Sequence, residues 1–137
     1  MLSPTADTVR LFLHVLAASV WVGGQIVLGG LVPRLRVAHP DSLSTVARGF
    51  ARVAWPALAI TVVTGIWNIL DLAVADQGTD YQVTLFVHVV LAAATGVFAA
   101  VHSLGRSKIA LALGGALGLV TALAATFVGI LLRTGAA

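Results

Sequence analysis

The chain has 137 residues, of which 59% are hydrophobic and 9% are charged. A soluble domain carries about 25% charged residues, so this composition cannot cover a water-facing surface and indicates a membrane protein. The formal net charge of +3 is too small for a nucleic-acid-binding surface. The absence of cysteine excludes disulfides, thiolate metal sites and cysteine nucleophiles.

Four apolar runs predict four membrane-spanning helices, because a helix needs about 20 apolar residues to cross the hydrocarbon core. The runs cover residues 9–32, 53–74, 83–104 and 109–132. The first ends at Pro33, and residues 42–52 are expected to form a short interfacial helix before the second. The sequence therefore predicts an all-α integral membrane four-helix bundle, formed by residues 1–137 as one domain in the lipid bilayer.

The distribution of charged residues predicts the orientation of this bundle. Basic residues concentrate in the loops after the first and third spans, at Arg34, Arg36, Arg48, Arg52, Arg106 and Lys108. The other side carries Arg10 and Arg133 together with Asp7, Asp76 and Asp80. By the positive-inside rule, both termini lie on the outer side and both basic loops lie in the cytoplasm.

Two histidines lie inside the apolar runs. His14 and His88 each lie five residues into their spans, counted from the outer side, and the first and third spans run in the same direction. The two imidazoles are therefore expected at the same depth. Ionisable side chains in hydrocarbon are costly and usually face the bundle interior, and neutral imidazole is a good ligand for iron. The pair predicts a heme b site with His14 and His88 as axial metal ligands.

Four other residues are expected to contact this heme, and no catalytic residue is predicted. Trp21 shares a helix face with His14, and Asn68 is level with both histidines and able to hydrogen-bond a ligand or a propionate. Arg10, one turn above His14, and Arg133, at the outer end of the fourth span, are expected to pair with heme propionates.

Alternative roles exist for all four histidines of the chain. An intramembrane histidine also serves as helix glue by hydrogen-bonding a neighbouring helix. His102 follows His88 by fourteen residues, or ~21 Å along a helix, a spacing that allows one helix to serve two hemes. One heme is expected, because the first span has Leu28 at the matching level. His39 is expected to be a solvated loop residue.

Several segments resemble one known superfamily. They are residues 12–24 (FLHVLAASVWVGG), 33–34 (PR), 48–52 (RGFAR), 64–67 (TGIW), 88 (H) and 102–106 (HSLGR). In these segments the chain resembles the superfamily that joins copper-resistance protein D membrane domains and HemJ-type protoporphyrinogen oxidases. The resemblance implies a four-helix protein of the bacterial plasma (inner) membrane. His14 matches the first-helix histidine of that superfamily, which is a heme-ligand position in the HemJ type.

Two departures from the superfamily bear on function. Val90 stands where the HemJ type has a functional lysine, which argues against protoporphyrinogen oxidation by that mechanism. Copper handling is poorly supported, because soft Cu(I) prefers cysteine and methionine, and the chain has no cysteine and a single methionine, Met1.

The sequence thus predicts a membrane-embedded, bis-histidine b-type heme protein that carries electrons rather than an enzyme, since two imidazole ligands leave no open iron position. A quinone or a redox partner complex would exchange the electrons, and homo-oligomerisation is left open. The alternatives are a heme-dependent oxidase of the protoporphyrinogen oxidase type, or a copper-transport or structural subunit of a larger membrane complex.

Overall fold

The computed structural model describes residues 3–135, and four long helices account for most of them. These are α1 (Ala6–Ala38), α2 (Leu43–Asp71), α3 (Thr79–Leu104) and α4 (Lys108–Thr134), with 3₁₀ turns over Pro40–Ser42 and Val74–Asp76. Residues 3–135 contain no strand. All four helices are long and apolar enough to cross a membrane, which confirms the all-α class and the four apolar helices and suggests a multi-pass membrane protein.

The chain divides after Leu72 into two compact units. The first, here called the first hairpin, is formed by α1 packed against α2. The second hairpin is formed by α3 packed against α4. Three residues, Gly105 to Ser107, separate α3 from α4, so these two helices are antiparallel neighbours, as the short polar segment at this point of the sequence predicts.

Local side-chain hydrogen bonds define where two of the helices begin. At the start of α1, the Thr5 hydroxyl accepts a hydrogen bond from the backbone N–H of Thr8, and the Thr8 hydroxyl accepts one from the N–H of Thr5. At the start of α4, the Ser107 hydroxyl accepts from the N–H of Ala110 at 3.0 Å. Such caps satisfy N–H groups that have no partner within the helix.

All four helices begin before the apolar runs that predicted them; α1 and α4 also end later, whereas α2 ends earlier, at Asp71. The helix α1 continues through Pro33 to Ala38. The expected interfacial helix over residues 42–52 is not separate: Ser42 ends the 3₁₀ turn, and residues 43–52 are the start of α2. Hydropathy reports where a chain leaves hydrocarbon, whereas a helix ends where its backbone hydrogen bonds end. At 33 residues, α1 is about 50 Å long and exceeds the ~30 Å hydrocarbon core.

Small residues bring the helices of the second hairpin together. Gly114, Gly118 and Ala122 of α4 are buried. A methyl group added at Gly114 would lie 2.6 Å from the backbone nitrogen of His102, so only glycine permits this approach of the two backbones. The buried hydroxyl of Thr95 donates a 2.9 Å hydrogen bond to the carbonyl oxygen of Gly118, which adds a polar link between α3 and α4.

The first hairpin combines small residues with aromatic ones. Ala54 and Ala57 of α2 are buried. The ring of Trp21 on α1 lies 5.8 Å from that of Trp55 on α2, centroid to centroid, at a separation typical of favourable aromatic pairs. The indole of Trp21 is thereby part of the packing of this hairpin.

Candidate functional site

His14 is held by α2 within the first hairpin. Its Nδ1 atom lies 2.9 Å from the backbone carbonyl oxygen of Thr61 and 3.0 Å from the hydroxyl oxygen of Thr64. A carbonyl oxygen only accepts hydrogen bonds, so Nδ1 carries the hydrogen and donates it. In the neutral ring the lone pair then belongs to Nε2, the atom through which such an imidazole binds a metal.

The hydroxyl of Thr64 is oriented by its own helix. Thr64 is 5% exposed, and its hydroxyl donates a 2.6 Å hydrogen bond to the carbonyl oxygen of Ile60. Because the hydroxyl hydrogen is used there, an oxygen lone pair is left to accept from Nδ1 of His14. The Nδ1–H of His14 therefore has two oxygen acceptors on α2.

His88 is held by α4 in the second hairpin through a similar contact. Its Nδ1 atom lies 2.9 Å from the backbone carbonyl oxygen of Ala125. Here too the carbonyl must accept, so Nδ1 donates and the lone pair of the neutral ring belongs to Nε2. His88 is the tenth residue of α3 and His14 the ninth of α1, so each lies about equally far from the start of its helix.

A glycine faces each ring, four residues after the residue whose carbonyl accepts the hydrogen bond. A methyl group at Gly65 would lie 3.1 Å from Cε1 of His14, and one at Gly129 would lie 3.0 Å from Cε1 of His88. Residues four apart share a helix face, so carbonyl and glycine together form a notch for the imidazole. We call this arrangement of histidine, carbonyl acceptor and glycine an imidazole notch.

A third imidazole notch lies near the other end of the second hairpin. Nδ1 of His102 lies 2.6 Å from the carbonyl oxygen of Leu111, and a methyl group at Gly115 would lie 3.0 Å from the same nitrogen. Unlike His14 and His88, which are partly buried, His102 is exposed. It lies within three residues of the end of α3, close to the Gly105 turn.

The two hairpins share a sequence pattern that hydropathy and histidine positions alone do not reveal. Residues 9–15 (VRLFLHV) and 83–89 (VTLFVHV) both read Val-x-Leu-Phe-x-His-Val, and Gly-Ile occurs at both 65–66 and 129–130. Comparison of the chain with itself is the standard test for such repeats. It would have singled out Gly65 and Gly129 as partners of the two histidines.

Arg10 and Asn68, both expected near a cofactor, contact each other at the end of the first hairpin. Nε of Arg10 donates a 2.7 Å hydrogen bond to Oδ1 of Asn68, and its guanidinium lies 2.8 Å from a carboxylate oxygen of Asp71 and 3.1 Å from one of Asp7. It also lies 5.7 Å from the ring centre of Trp67. The guanidinium thus has both charge partners and a cation–π contact in this hairpin.

The remaining predicted cofactor contacts, Trp21 and Arg133, belong to different hairpins. Trp21 is 5% exposed and packs against Trp55. Arg133 is exposed in the last turn of α4, one turn beyond Gly129 and thus at the same end of the second hairpin as His88. A role for either residue, or for Arg10 and Asn68, in heme binding stays a prediction.

Across residues 3–135, no three His, Cys, Asp or Glu side chains are grouped to hold a metal ion. A heme iron needs fewer protein ligands than a free metal ion, because the porphyrin supplies four ligands and the protein at most two. Comparisons with protein-family models, with curated proteins and with solved structures find no match to this chain. Its resemblance to the copper-resistance protein D and HemJ-type superfamily therefore stays a prediction.

Proposed function

We propose that this chain is a b-type heme protein of the bacterial plasma membrane that transfers electrons, with Nε2 of His14 and Nε2 of His88 as the axial ligands. The observation that carries the proposal is the pair of 2.9 Å hydrogen bonds from the Nδ1 atoms to backbone carbonyl oxygens. Metal-ligating histidines almost always donate their other ring N–H in this way, which fixes the tautomer and the ring orientation.

The competing role for these histidines is to hold two helices together. A single hydrogen bond from each imidazole to a carbonyl oxygen of the facing helix would be enough for that role. The repetition of the notch favours ligation. Both hairpins hold an imidazole by Nδ1, at about the same distance from the start of the helix, and both leave room for the ring with a glycine. Of the three imidazole notches, those of His14 and His88 hold partly buried rings, whereas His102 is exposed. An ionisable group inside an apolar helix is costly, so the two partly buried histidines point to a common use.

The chain's own groups would prepare both imidazoles for iron. The carbonyl oxygens of Thr61 and Ala125 keep the proton on Nδ1, so no proton has to leave Nε2 when it binds a metal. The heme would supply a one-electron iron couple. Two imidazole ligands from the chain would leave no iron position for a substrate, which favours electron transfer to a quinone or to a membrane-bound redox partner.

The charges of the first hairpin support an orientation with both termini on the outer side. Asp7 and Asp71 lie at the end where α1 begins and α2 ends. The arginines of the opposite end are Arg34, Arg36, Arg48 and Arg52. Arginine-rich ends of membrane helices stay in the cytoplasm, so the histidines would lie nearer the outer face.

The test is an absorption spectrum of the detergent-purified protein, oxidised and then reduced with dithionite, together with the heme-to-protein ratio. We expect one heme per chain and narrow α and β bands on reduction. His14→Ala and His88→Ala should each lose most of the heme. His102→Ala is the matched control, because it removes an imidazole held in the same way but leaves the proposed ligands intact. Full heme content in both His14→Ala and His88→Ala would contradict the proposal.

A further inference from the structure

We infer that the hydroxyl of Thr64, as a second hydrogen-bond acceptor for Nδ1 of His14, lowers the midpoint potential of the bound heme. The inference rests on the proposed heme ligation and concerns the chain's own hydrogen bonds to the ligands. Thr64 acts through His14 and is in this sense a positioning residue.

The two hairpins differ at the residue that directly precedes the glycine of the imidazole notch. Thr64 follows the acceptor residue Thr61 by three positions and directly precedes Gly65. In the second hairpin, Val128 follows Ala125 by three positions and directly precedes Gly129. Valine has nearly the shape of threonine but offers no oxygen. The hydroxyl acceptor at 3.0 Å from His14 therefore has no counterpart at the equivalent position of α4.

The contact to His14 distinguishes Thr64 from Thr121 and Thr126 of α4. Threonine hydroxyls in membrane helices commonly donate to the carbonyl one turn earlier. On α4, Thr126 does so to Ala122 at 2.9 Å, and Thr121 does so to Leu117 at 2.7 Å. Thr64 makes the same bond to Ile60, but its oxygen also accepts from a histidine on the facing helix.

A second acceptor on Nδ1–H changes the ligand electronically. Hydrogen bonds to the non-ligating nitrogen draw the proton away from the ring and raise the basicity of the ligating nitrogen. In a medium of low dielectric constant this effect is stronger than in water. A more basic axial ligand favours the oxidised iron, which bears the greater positive charge, so the hydroxyl of Thr64 should lower the potential.

The repeat supplies reciprocal variants for the test. Thr64→Val gives the first hairpin the residue of the second, and Val128→Thr does the reverse. We expect Thr64→Val to raise the midpoint potential, Val128→Thr to lower it, and the double variant to lie close to the wild type. Thr64→Ser, which keeps a hydroxyl, should stay near the wild-type value. Thr126→Val is the control, because it removes a hydroxyl that donates to the carbonyl oxygen of Ala122 on its own helix.

Ring-¹⁵N NMR of the heme-free full chain gives a second readout. The His14 signals are assigned by their loss in His14→Ala. Thr64→Val should move the Nδ1 resonance of His14 to lower frequency, as expected for a weakened hydrogen bond, and leave His88 unchanged. A shift of similar size in Thr126→Val would contradict a specific contact.

The outcomes separate the two proposals. A wild-type protein that takes up no heme overturns the proposed function and the potential effect, while the NMR signal still decides whether the Thr64 hydrogen bond exists. A heme-loaded protein whose potential changes in neither Thr64→Val nor Val128→Thr overturns the inference alone. If Thr64→Val does not fold, Val128→Thr must lower the potential or the inference fails.

Discussion

In the first hairpin, charged groups and a tryptophan pair link α1 to α2, whereas in the second hairpin glycine and alanine let α3 and α4 approach closely. Arg10, bonded to Asn68 and Asp71, joins the ends of the first pair. In the second hairpin, Gly114 allows α4 to lie against the backbone of α3 at His102. Both hairpins nevertheless hold a histidine by Nδ1 against a carbonyl and a glycine. The imidazole notch thus does not depend on how the rest of each hairpin packs.

The largest effect should come from removing either imidazole, and it should be similar in the two hairpins. Loss of an outer partner of a metal ligand alone costs roughly 10- to 100-fold in metal affinity, so His14→Ala and His88→Ala should each cost at least that much heme affinity. Because each substitution removes one neutral imidazole, millimolar free imidazole should restore the six-coordinate spectrum in both. Rescue of one variant and not the other would show that only one histidine is a ligand.

The next largest effect should be a loss of stability caused by Gly114→Ala in the second hairpin. In Gly114→Ala the new methyl group would meet the backbone at 2.6 Å, and backbone atoms yield less readily than side chains. We expect the free energy of unfolding to fall by about 3 kcal/mol, measured by thermal or denaturant unfolding in detergent. Gly29→Ala is the control, because within residues 3–135 no atom outside its own stretch of helix lies within 4 Å of the added methyl group. Equal losses in both variants would show that backbone contact is not the cause.

Removing the contacts of Arg10 at the charged end of the first hairpin should lower the free energy of unfolding by less than Gly114→Ala does. Arg10→Ala should lower the free energy of unfolding by about 2 kcal/mol, because it leaves the side-chain carbonyl of Asn68 without its 2.7 Å donor. The ion pairs add little, since Asp7 and Asp71 are 70% and 52% exposed. Arg133→Ala, at an exposed position of α4, should leave unfolding unchanged. A similar loss in both variants would argue for a general charge effect.

The smallest of these effects should appear at the two glycines that face the rings. Gly65→Ala and Gly129→Ala place a methyl group 3.1 Å and 3.0 Å from the Cε1 atoms of His14 and His88, so each ring must shift by a few tenths of an ångström. We expect heme affinity to fall about 10-fold in each, measured by hemin titration. Gly115→Ala, which faces His102, should leave the affinity unchanged if His102 is not a ligand.

The number and class of the helices follow from the sequence alone, because apolar runs of this length have few other stable forms in a membrane. The positions of His14 and His88 within those runs also raised the possibility of a cofactor. The helix ends were less well predicted. Hydropathy ends the first run at Pro33, while the backbone hydrogen bonds of α1 continue to Ala38.

Only the tertiary structure identified what holds the histidines. The acceptors are the backbone carbonyl oxygens of Thr61 and Ala125, 47 and 37 residues away along the chain. Every residue carries such an oxygen, so no residue type marks it in a sequence. The role of Thr64 likewise depends on its surroundings. Its hydroxyl hydrogen points toward the carbonyl oxygen of Ile60, and the packing of α1 on α2 brings His14 to the hydroxyl oxygen, which accepts a hydrogen bond from Nδ1. Composition and periodicity determine which segments become helices, whereas the partner of each buried polar atom is decided by which helix faces meet.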